Sequence, residues 1–151
     1  MHLFEKHQQI GGLMRYGIPN FKLEKDVVVR RWHQYAEGGI EFRLNCAVGR
    51  DISLEELRRK HAAVLIATGV YKARDIAVPG ADLPGVVPAL DYLIASNRKG
   101  LGDAVPEFNS GALNAEGRHV VVIGGGDTAM DCVRTATRQG AASVTCLYRR
   151  D

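Results

Sequence analysis

Apolar and polar positions along this chain follow the periods of strands and helices in an order that predicts βαβ units. An apolar run at residues 120–123 leads into a glycine-rich turn, and a helical pattern follows from Thr128 to Gln139. Gly140 ends that helix, and residues 143–148 have the pattern of a second strand. A helix joining two strands is typical of parallel pairing. The predicted fold class is therefore α/β, built from Rossmann-like βαβ units.

The N-terminal half has a related pattern. Residues 2–6 resemble a strand end, and residues 23–37 place apolar side chains at helical spacing, among them Val27, Val28 and Trp32. Residues 40–48 alternate between apolar and polar, which predicts a half-buried strand. We interpret the first strand as the second strand of a further βαβ unit.

The middle of the chain adds a strand and two helices to the prediction. Residues 63–69 are continuously apolar or small, which predicts a strand buried on both faces. Ser53 and Glu56 have the spacing of a capping box and predict a short helix. A further helix is predicted at 89–99, and residues 100–117 are interpreted as a linker or surface excursion.

Composition excludes several function classes. The 151 residues are 46% hydrophobic and 25% charged with a net charge of +3, and no apolar run approaches the length of a membrane helix. The N-terminus lacks a signal-peptide pattern, so we expect a cytoplasmic protein without a membrane partner. Basic residues occur in short clusters without interleaved aromatic residues, which argues against a nucleic-acid partner. The clusters are Arg30-Arg31, Arg58-Arg59-Lys60 and Arg149-Arg150.

Reactive side chains are scattered. Cys46, Cys132 and Cys146 form no CxxC pair, and the histidines are equally dispersed, so we predict no metal site and reduced, buried cysteines. We also find no combination of residues typical of nucleophilic or acid–base catalysis, and we therefore predict no catalytic side chain.

The glycine-rich turn has the spacing of a dinucleotide fingerprint. Gly124, Gly126 and Ala129 match the pattern GxGxxA between a strand and a helix. The first glycine allows the turn, the second allows close approach of a pyrophosphate, and the small third residue allows the helix to pack on the strand. The helix N-terminus, with Asp127 and Thr128, then offers free N–H groups to phosphate. The alternative is a glycine turn that only packs.

Charged residues at strand ends indicate which dinucleotide binds where. Arg149 and Arg150 stand where an NAD site usually has an acid, and guanidinium groups suit a 2′-phosphate, which favours NADP(H). Asp151 follows them and could still reach a ribose hydroxyl, and a solvated arginine pair is the alternative. Glu5, at the end of the first strand, suits the unphosphorylated ribose of FAD, or it is a surface acid.

Five segments spread over nearly the whole chain match a known family. They are IGGLMRYGIPNFKL at 10–23, LIATGVYKAR at 65–74, VPGADL at 78–83, VIGGGDTAMDC at 122–132 and LYRRD at 147–151. Together they resemble the small (β) subunits of bacterial NADPH-dependent glutamate synthases. Related modules occur in dihydropyrimidine dehydrogenase and in NADPH:ferredoxin-type reductases, and the string Tyr-Gly-Ile-Pro-Asn-Phe-Lys-Leu at 16–23 favours glutamate synthase among them.

The resemblance implies a part of an FAD-binding domain at 1–88 and a part of an NAD(P)H-binding domain at 89–151. It implies that FAD lies along residues of the first domain, and that NADPH lies on the glycine turn and the arginine pair. The implied FAD residues are Glu5, Gly12, Leu13, Tyr16, Gly17, Ile18, Pro19, Val48, Ala67, Thr68 and Gly69. The implied NADPH residues are Gly124, Gly126, Asp127, Thr128, Ala129, Arg149 and Arg150.

The resemblance also implies an activity. Hydride would pass from NADPH to FAD, and electrons would continue through iron–sulfur clusters to a glutamate synthase large subunit, where glutamine and 2-oxoglutarate yield glutamate. The cysteine-rich segment that ligates those clusters is absent from this sequence. We therefore expect an internal part of the subunit that is inactive alone. The alternatives are an NADP(H)-binding module without turnover and the same reductase module serving another electron acceptor.

Overall fold

The structure, a computed structural model, describes residues 1–70 and 77–149 and divides into two units. The first unit comprises residues 1–15 and 24–70, and the second comprises residues 16–23 and those from 71 onward. The predicted division into cofactor domains at residue 88 stays a prediction. The elements are β1 (His2–Phe4), α1 (Gly12–Tyr16), α2 (Lys25–Glu37), β2 (Glu41–Arg43), α3 (Leu54–Lys60), α4 (Ala89–Gly100), α5 (Pro106–Asn109), β3 (His119–Ile123), α6 (Asp127–Arg138) and β4 (Ser143–Leu147).

The first unit pairs β1 with β2 in parallel. The register sets His2 opposite Glu41, and α2 connects the two strands, as parallel pairing requires. β2 is shorter than the predicted strand at 40–48, which is a correction. Asn45 takes a left-handed φ of 54°, a conformation that asparagine tolerates and that turns the chain out of the strand direction.

Helix α2 buries one side against the loop before it. Val28 is buried, whereas Val27 and Tyr35 are 40% and 48% exposed, so the buried stripe is narrower than the apolar pattern predicts. A Cβ at Gly11, where φ is +111°, would lie 2.8 Å from Val28 Cγ1. Backbone and helix therefore approach so closely here that only glycine fits.

The predicted capping box forms in part. The Ser53 hydroxyl accepts a hydrogen bond from the Glu56 N–H at 3.0 Å and begins α3. The Glu56 carboxylate accepts from Lys60 Nζ at 2.6 Å, one helical turn along, which holds the pKa of Glu56 below its usual value. The helix therefore begins as predicted, with the glutamate used inside the helix.

The second unit contains the predicted βαβ element. β3 and β4 pair in parallel from His119 opposite Ser143 to Ile123 opposite Leu147, and α6 connects them. Helices α4 and α6 cover one face of this sheet. The core between them comprises Tyr92, Leu93, Ala115, Cys132 and Ala136, with Val120, Val122 and Val144 packed against it. These observations confirm the α/β prediction.

The Gln139 side chain, at the end of α6, forms hydrogen bonds to α4 and to the loop before β3. Its side-chain oxygen accepts hydrogen bonds from the Tyr92 hydroxyl at 2.8 Å and the Ala115 N–H at 2.9 Å. Its Nε2 donates to Ser96 Oγ at 3.0 Å. One amide at the end of α6 thus satisfies polar groups on α4 and in the loop that leads into β3, and these groups would be costly to bury unpaired.

The prediction of a strand at 63–69 that is buried on both faces is wrong. Residues 63–69 form no strand, and Leu65 and Ile66 are 89% and 68% exposed. In β3 the outward side chains Val121 and Ile123 are 57% and 65% exposed. A doubly buried strand needs cover on both faces, and within the described residues the helices cover one face of β3 and β4.

Within residues 1–70 and 77–149, no helix combines the length and apolar character that a membrane crossing requires.

Replacing Gly11 with alanine is expected to destabilise the first unit more than the same change at Gly39. Both glycines have positive φ, but a Cβ at Gly39 meets nothing within 4 Å. Backbone strain alone predicts a loss of about 1–2 kcal/mol for Gly39→Ala. The contact with Val28 adds about 1–3 kcal/mol for Gly11→Ala. Urea unfolding of both variants measures the difference, and equal losses would contradict the close packing at Gly11.

Candidate functional site

A concave site lies at the carboxyl ends of β3 and β4, where α6 begins. Its volume is about 530 Å³. Ligands of parallel α/β sheets bind at this edge because the loops leaving the strands open there. The lining residues are Ile123, Gly124, Gly125, Leu147, Tyr148 and Arg149.

Gly124 makes the turn that opens the site. Its N–H donates to the Leu147 carbonyl at 2.8 Å, which continues the pairing of the two strands by one bond. Its φ of +138° then directs the chain away from the sheet, a conformation that disfavours any side chain. A Cβ at Gly124 would lie 3.4 Å from the Cβ of Ala129, which is buried. The small third residue thus lets α6 approach the turn closely.

Gly126 and the start of α6 leave space and donors for an anion. Gly126 is the N-cap residue with extended backbone, and a Cβ there would meet nothing within 4 Å. The first hydrogen bond into the helix runs from Met130 N–H to Gly126 O at 3.1 Å. The N–H groups of residues 127–129 precede it, and such groups have no partner within a helix. Because α6 has 12 residues, its dipole adds positive potential at this end.

Arg149 lies in the lining of the same site, beside the glycine turn, and its side chain is exposed. Arg150 and Asp151 are outside the described residues. Sequence reasoning missed Gly125 and Tyr148, which line the site between Gly124 and Arg149. The triple glycine was the available signal for Gly125. No pattern in the sequence indicated that Tyr148 lies against it.

The cysteines differ in their surroundings. Cys132 is buried on α6, and burial raises the pKa of its thiol to about 11, so it is protonated at neutral pH and unreactive. Cys46 and Cys146 are half-buried, so the prediction of buried cysteines is confirmed for Cys132 alone. Cys146 lies in β4, and its thiol donates to the Gly124 carbonyl at 3.2 Å.

The residues predicted for FAD are distributed over both units. In the first unit, Glu5 follows β1 and extends the pairing, because its N–H donates to Arg43 O at 3.0 Å. Its carboxylate accepts the His7 N–H at 3.0 Å. Glu5 therefore stands at the end of the strand, as predicted, and its side chain is turned toward its own loop.

The other predicted FAD residues of the first unit have varied surroundings. Gly12 begins α1 with a φ of +47°, and Leu13 follows it within this short helix. Val48 pairs with Ile52 in an isolated bridge, so the prediction that it ends a strand is wrong. Residues 67–69 are exposed and outside any strand, and the predicted strand end there is wrong as well.

Residues 16–19 belong to the second unit. The Tyr16 carbonyl accepts from Asn97 Nδ2 at 2.8 Å, and Gly17 and Pro19 are buried. Ile18 is half-buried between them. None of the four lines the concave site at Gly124, so within the second unit they are separate from it.

The segment that follows them is held against α6. Lys22 Nζ lies 3.1 Å from each carboxylate oxygen of the buried Asp131. The Arg138 guanidinium lies 3.9 Å from the centroid of the Phe21 ring. Residues 16–23 therefore have a defined position on the helical layer of the second unit.

Comparison with known proteins identifies the family. The profile of the family described as pyridine nucleotide-disulphide oxidoreductase matches residues 37–151. The chain belongs to this family. The match includes the β3–α6–β4 element and the glycine turn.

Individual relatives extend the match to the whole chain. The chain is 62% identical over 151 residues to the glutamate synthase [NADPH] small chain of Azospirillum brasilense, of which it covers 31%. It is 47% identical over 150 residues to the putative oxidoreductase AegA of Escherichia coli K12, covering 22% of that protein. A solved variant of FprA from Mycobacterium tuberculosis superposes with a TM-score of 0.81 at 25% identity, over 99% of this chain and 36% of that one. The chain thus spans about a third or less of the proteins it resembles.

Alanine at Gly124 and Gly126 is expected to have different effects on stability. At Gly124 it requires a strained positive φ and is expected to cost about 1–3 kcal/mol. At Gly126 the backbone is extended and the space is open, so the cost should stay below about 1 kcal/mol. Urea unfolding compares the two. A loss at Gly126 as large as that at Gly124 would contradict the open space.

Proposed function

We propose that this chain is part of a flavoprotein subunit that passes hydride from NADPH to FAD and supplies electrons for glutamate synthesis. The observation that carries the proposal is the site at the ends of β3 and β4, which Gly124, Gly125 and Arg149 line, with α6 beginning directly after the glycine turn. The 62% identity to the glutamate synthase [NADPH] small chain supports the finer assignment.

The geometry fits the diphosphate of a dinucleotide. Gly126 leaves room for an atom that a side chain would displace, and the N–H groups of residues 127–129 precede the first bond of the helix. Backbone donors and a helix dipole suit the two negative charges of a pyrophosphate. In this proposal Gly124 and Ala129 shape the turn, and Gly126, Asp127 and Thr128 contact the phosphates.

Arg149 is proposed to select NADPH over NADH. The two dinucleotides differ by the 2′-phosphate, and a guanidinium can donate two parallel hydrogen bonds to it. Arg149 is exposed and lines the same site as the glycine turn, which is where a ribose joined to a bound pyrophosphate would lie. Arg150 is proposed to assist it.

The flavin assignment is the part of the proposal that rests mainly on similarity. The proposed FAD residues are Glu5, Gly12, Leu13, Val48 and residues 67–69 of the first unit, with residues 16–19 of the second. When bound, FAD would supply the hydride acceptor, so that the protein's task is to hold two rings in place. This agrees with the lack of any nucleophile or acid–base pair among the predicted site residues.

The electron acceptor is proposed from the relatives. The name of the Azospirillum brasilense protein, a small chain, supports a large-subunit partner. The 47% identity to AegA supports a second candidate, in which the same reductase module serves another acceptor. NADPH oxidation by the complete protein with and without a glutamate synthase large subunit discriminates the two.

Gly126→Ala is expected to lower the affinity for NADPH about tenfold or more, because the new methyl group occupies the space proposed for the pyrophosphate. Titration of the 151-residue chain with NADPH, followed by nucleotide fluorescence, measures this. The free energy of unfolding of the same variant serves as the control. Unchanged affinity in a folded Gly126→Ala variant would contradict the proposed position of the pyrophosphate.

Arg149→Ala is expected to weaken NADPH binding about tenfold while leaving NADH binding nearly unchanged, because one charge-assisted contact to the 2′-phosphate is lost. Arg134→Ala, which removes a positive charge from the exposed side of α6, is the matched control. Equal losses for NADPH and NADH, or a loss of the same size in Arg134→Ala, would contradict the role of Arg149.

A further inference from the structure

We propose that Cys146 and Tyr148 are positioning residues that hold the glycine turn in its phosphate-binding shape. The inference deepens the proposed function and rests on it. Neither residue belongs to the GxGxxA pattern, and Gly125, which Tyr148 contacts, occupies a position that this pattern leaves open. Cys146 lies in β4, and Tyr148 directly follows the last residue of that strand.

Cys146 fixes the direction of one peptide group in the turn. Its thiol donates to the Gly124 carbonyl at 3.2 Å. A trans peptide plane sets the N–H of Gly125 opposite to that oxygen, so the thiol also fixes where this amide points. A backbone amide can bind phosphate well only when its direction is set before the ligand arrives. Cys146 would therefore contribute to affinity without touching the dinucleotide.

Tyr148 lies close to Gly125 and restricts the space around the glycine turn. A Cβ at Gly125 would lie 3.1 Å from Tyr148 Cβ, 3.2 Å from Cγ and 3.4 Å from Cδ2. The backbone of Gly125 does not have a positive φ, so conformational strain does not require glycine there. The close approach comes from the tyrosine, which is 62% exposed and would have to shift by a few tenths of an ångström to admit a Cβ at Gly125.

Leu147, between Cys146 and Tyr148, also contacts the glycine turn. The Leu147 carbonyl accepts the Gly124 N–H at 2.8 Å. Three consecutive positions around the end of β4 thus contact two consecutive glycines, through a thiol, a carbonyl and a ring. The turn is held by the second strand as well as by the helix that it begins.

The Tyr148 contact is tested by a double-mutant cycle of Gly125→Ala and Tyr148→Gly, read as dissociation constants for NADPH and NADH; glycine is chosen because it removes the Tyr148 Cβ, the atom nearest to the added methyl group. Gly125→Ala alone is expected to weaken both ligands about tenfold, because the pyrophosphate is common to both. In the Tyr148→Gly background its additional effect should fall to about twofold or less. Tyr35→Ala, an exposed tyrosine of α2, is the control and should leave both constants unchanged. Additive effects would overturn the role of Tyr148.

The thiol is tested by comparing Cys146→Ala with Cys146→Ser. Alanine removes the donor and is expected to weaken NADPH and NADH alike by about threefold to tenfold, whereas serine keeps a donor and should restore most of the affinity. Cys46→Ala, at the other half-buried cysteine, is the control. A folded Cys146→Ala variant with the wild-type affinity, or a serine variant as weak as the alanine variant, would overturn the role of Cys146.

The same titrations separate this inference from the function on which it rests. A complete wild-type protein that binds neither dinucleotide would overturn the proposed function and the positioning role together. A complete protein that binds NADPH, with an Arg149→Ala variant that binds it more weakly and cycle variants that do not, would overturn the positioning role alone. Urea unfolding of each variant shows whether a lost affinity reflects a lost fold.

Discussion

The second unit depends on the point where β3 ends and the chain leaves the sheet. Gly124 donates one further hydrogen bond to Leu147 and then turns at a φ of +138° into α6. The same residue therefore completes the parallel pairing and directs the helix back over the sheet. A side chain here would either strain the turn or push α6 away from the strand, because Ala129 lies in contact distance. The strand pairing, the position of α6 and the concave site therefore all depend on glycine at position 124.

Small side chains on α6 allow this helix to lie close to the strands. α6 presents Ala129, Cys132 and Ala136 to the sheet and to α4, and these small side chains allow the helix to lie near the strands. At its margins Lys22 pairs with Asp131 and Gln139 makes three hydrogen bonds, whereas the buried Thr135 hydroxyl has no hydrogen-bond partner among the described residues. Close packing and paired buried groups reinforce each other, since a helix held at a fixed distance keeps the partners of its polar side chains in reach.

Local pattern predicts some of these features well and others poorly. The β3–α6–β4 element and the Ser53 cap are determined by residues close in sequence, and both form as predicted. Residues 63–69 show what pattern cannot supply. A continuous apolar run indicates that both faces favour burial, but the covering residues must come from elsewhere, and the described residues provide none for Leu65. The contact of Tyr148 with Gly125 was missed for the same reason, since the strand period gives the side of a residue and not its neighbour.

The proposed site would separate affinity from selectivity, and the end of β4 would connect the two. In the proposed complex the glycine turn and the start of α6 would face the part of a dinucleotide that NADH and NADPH share, whereas Arg149 would stand where they differ. Cys146, in β4, and Tyr148, directly after β4, lie against the turn just before Arg149. The distance between phosphate donors and guanidinium would therefore be set within one short stretch of chain, which continues from the strand that pairs with β3. A change that shifts the end of β4 should disturb binding and selectivity together, while a change confined to the turn or to Arg149 should disturb only one of them.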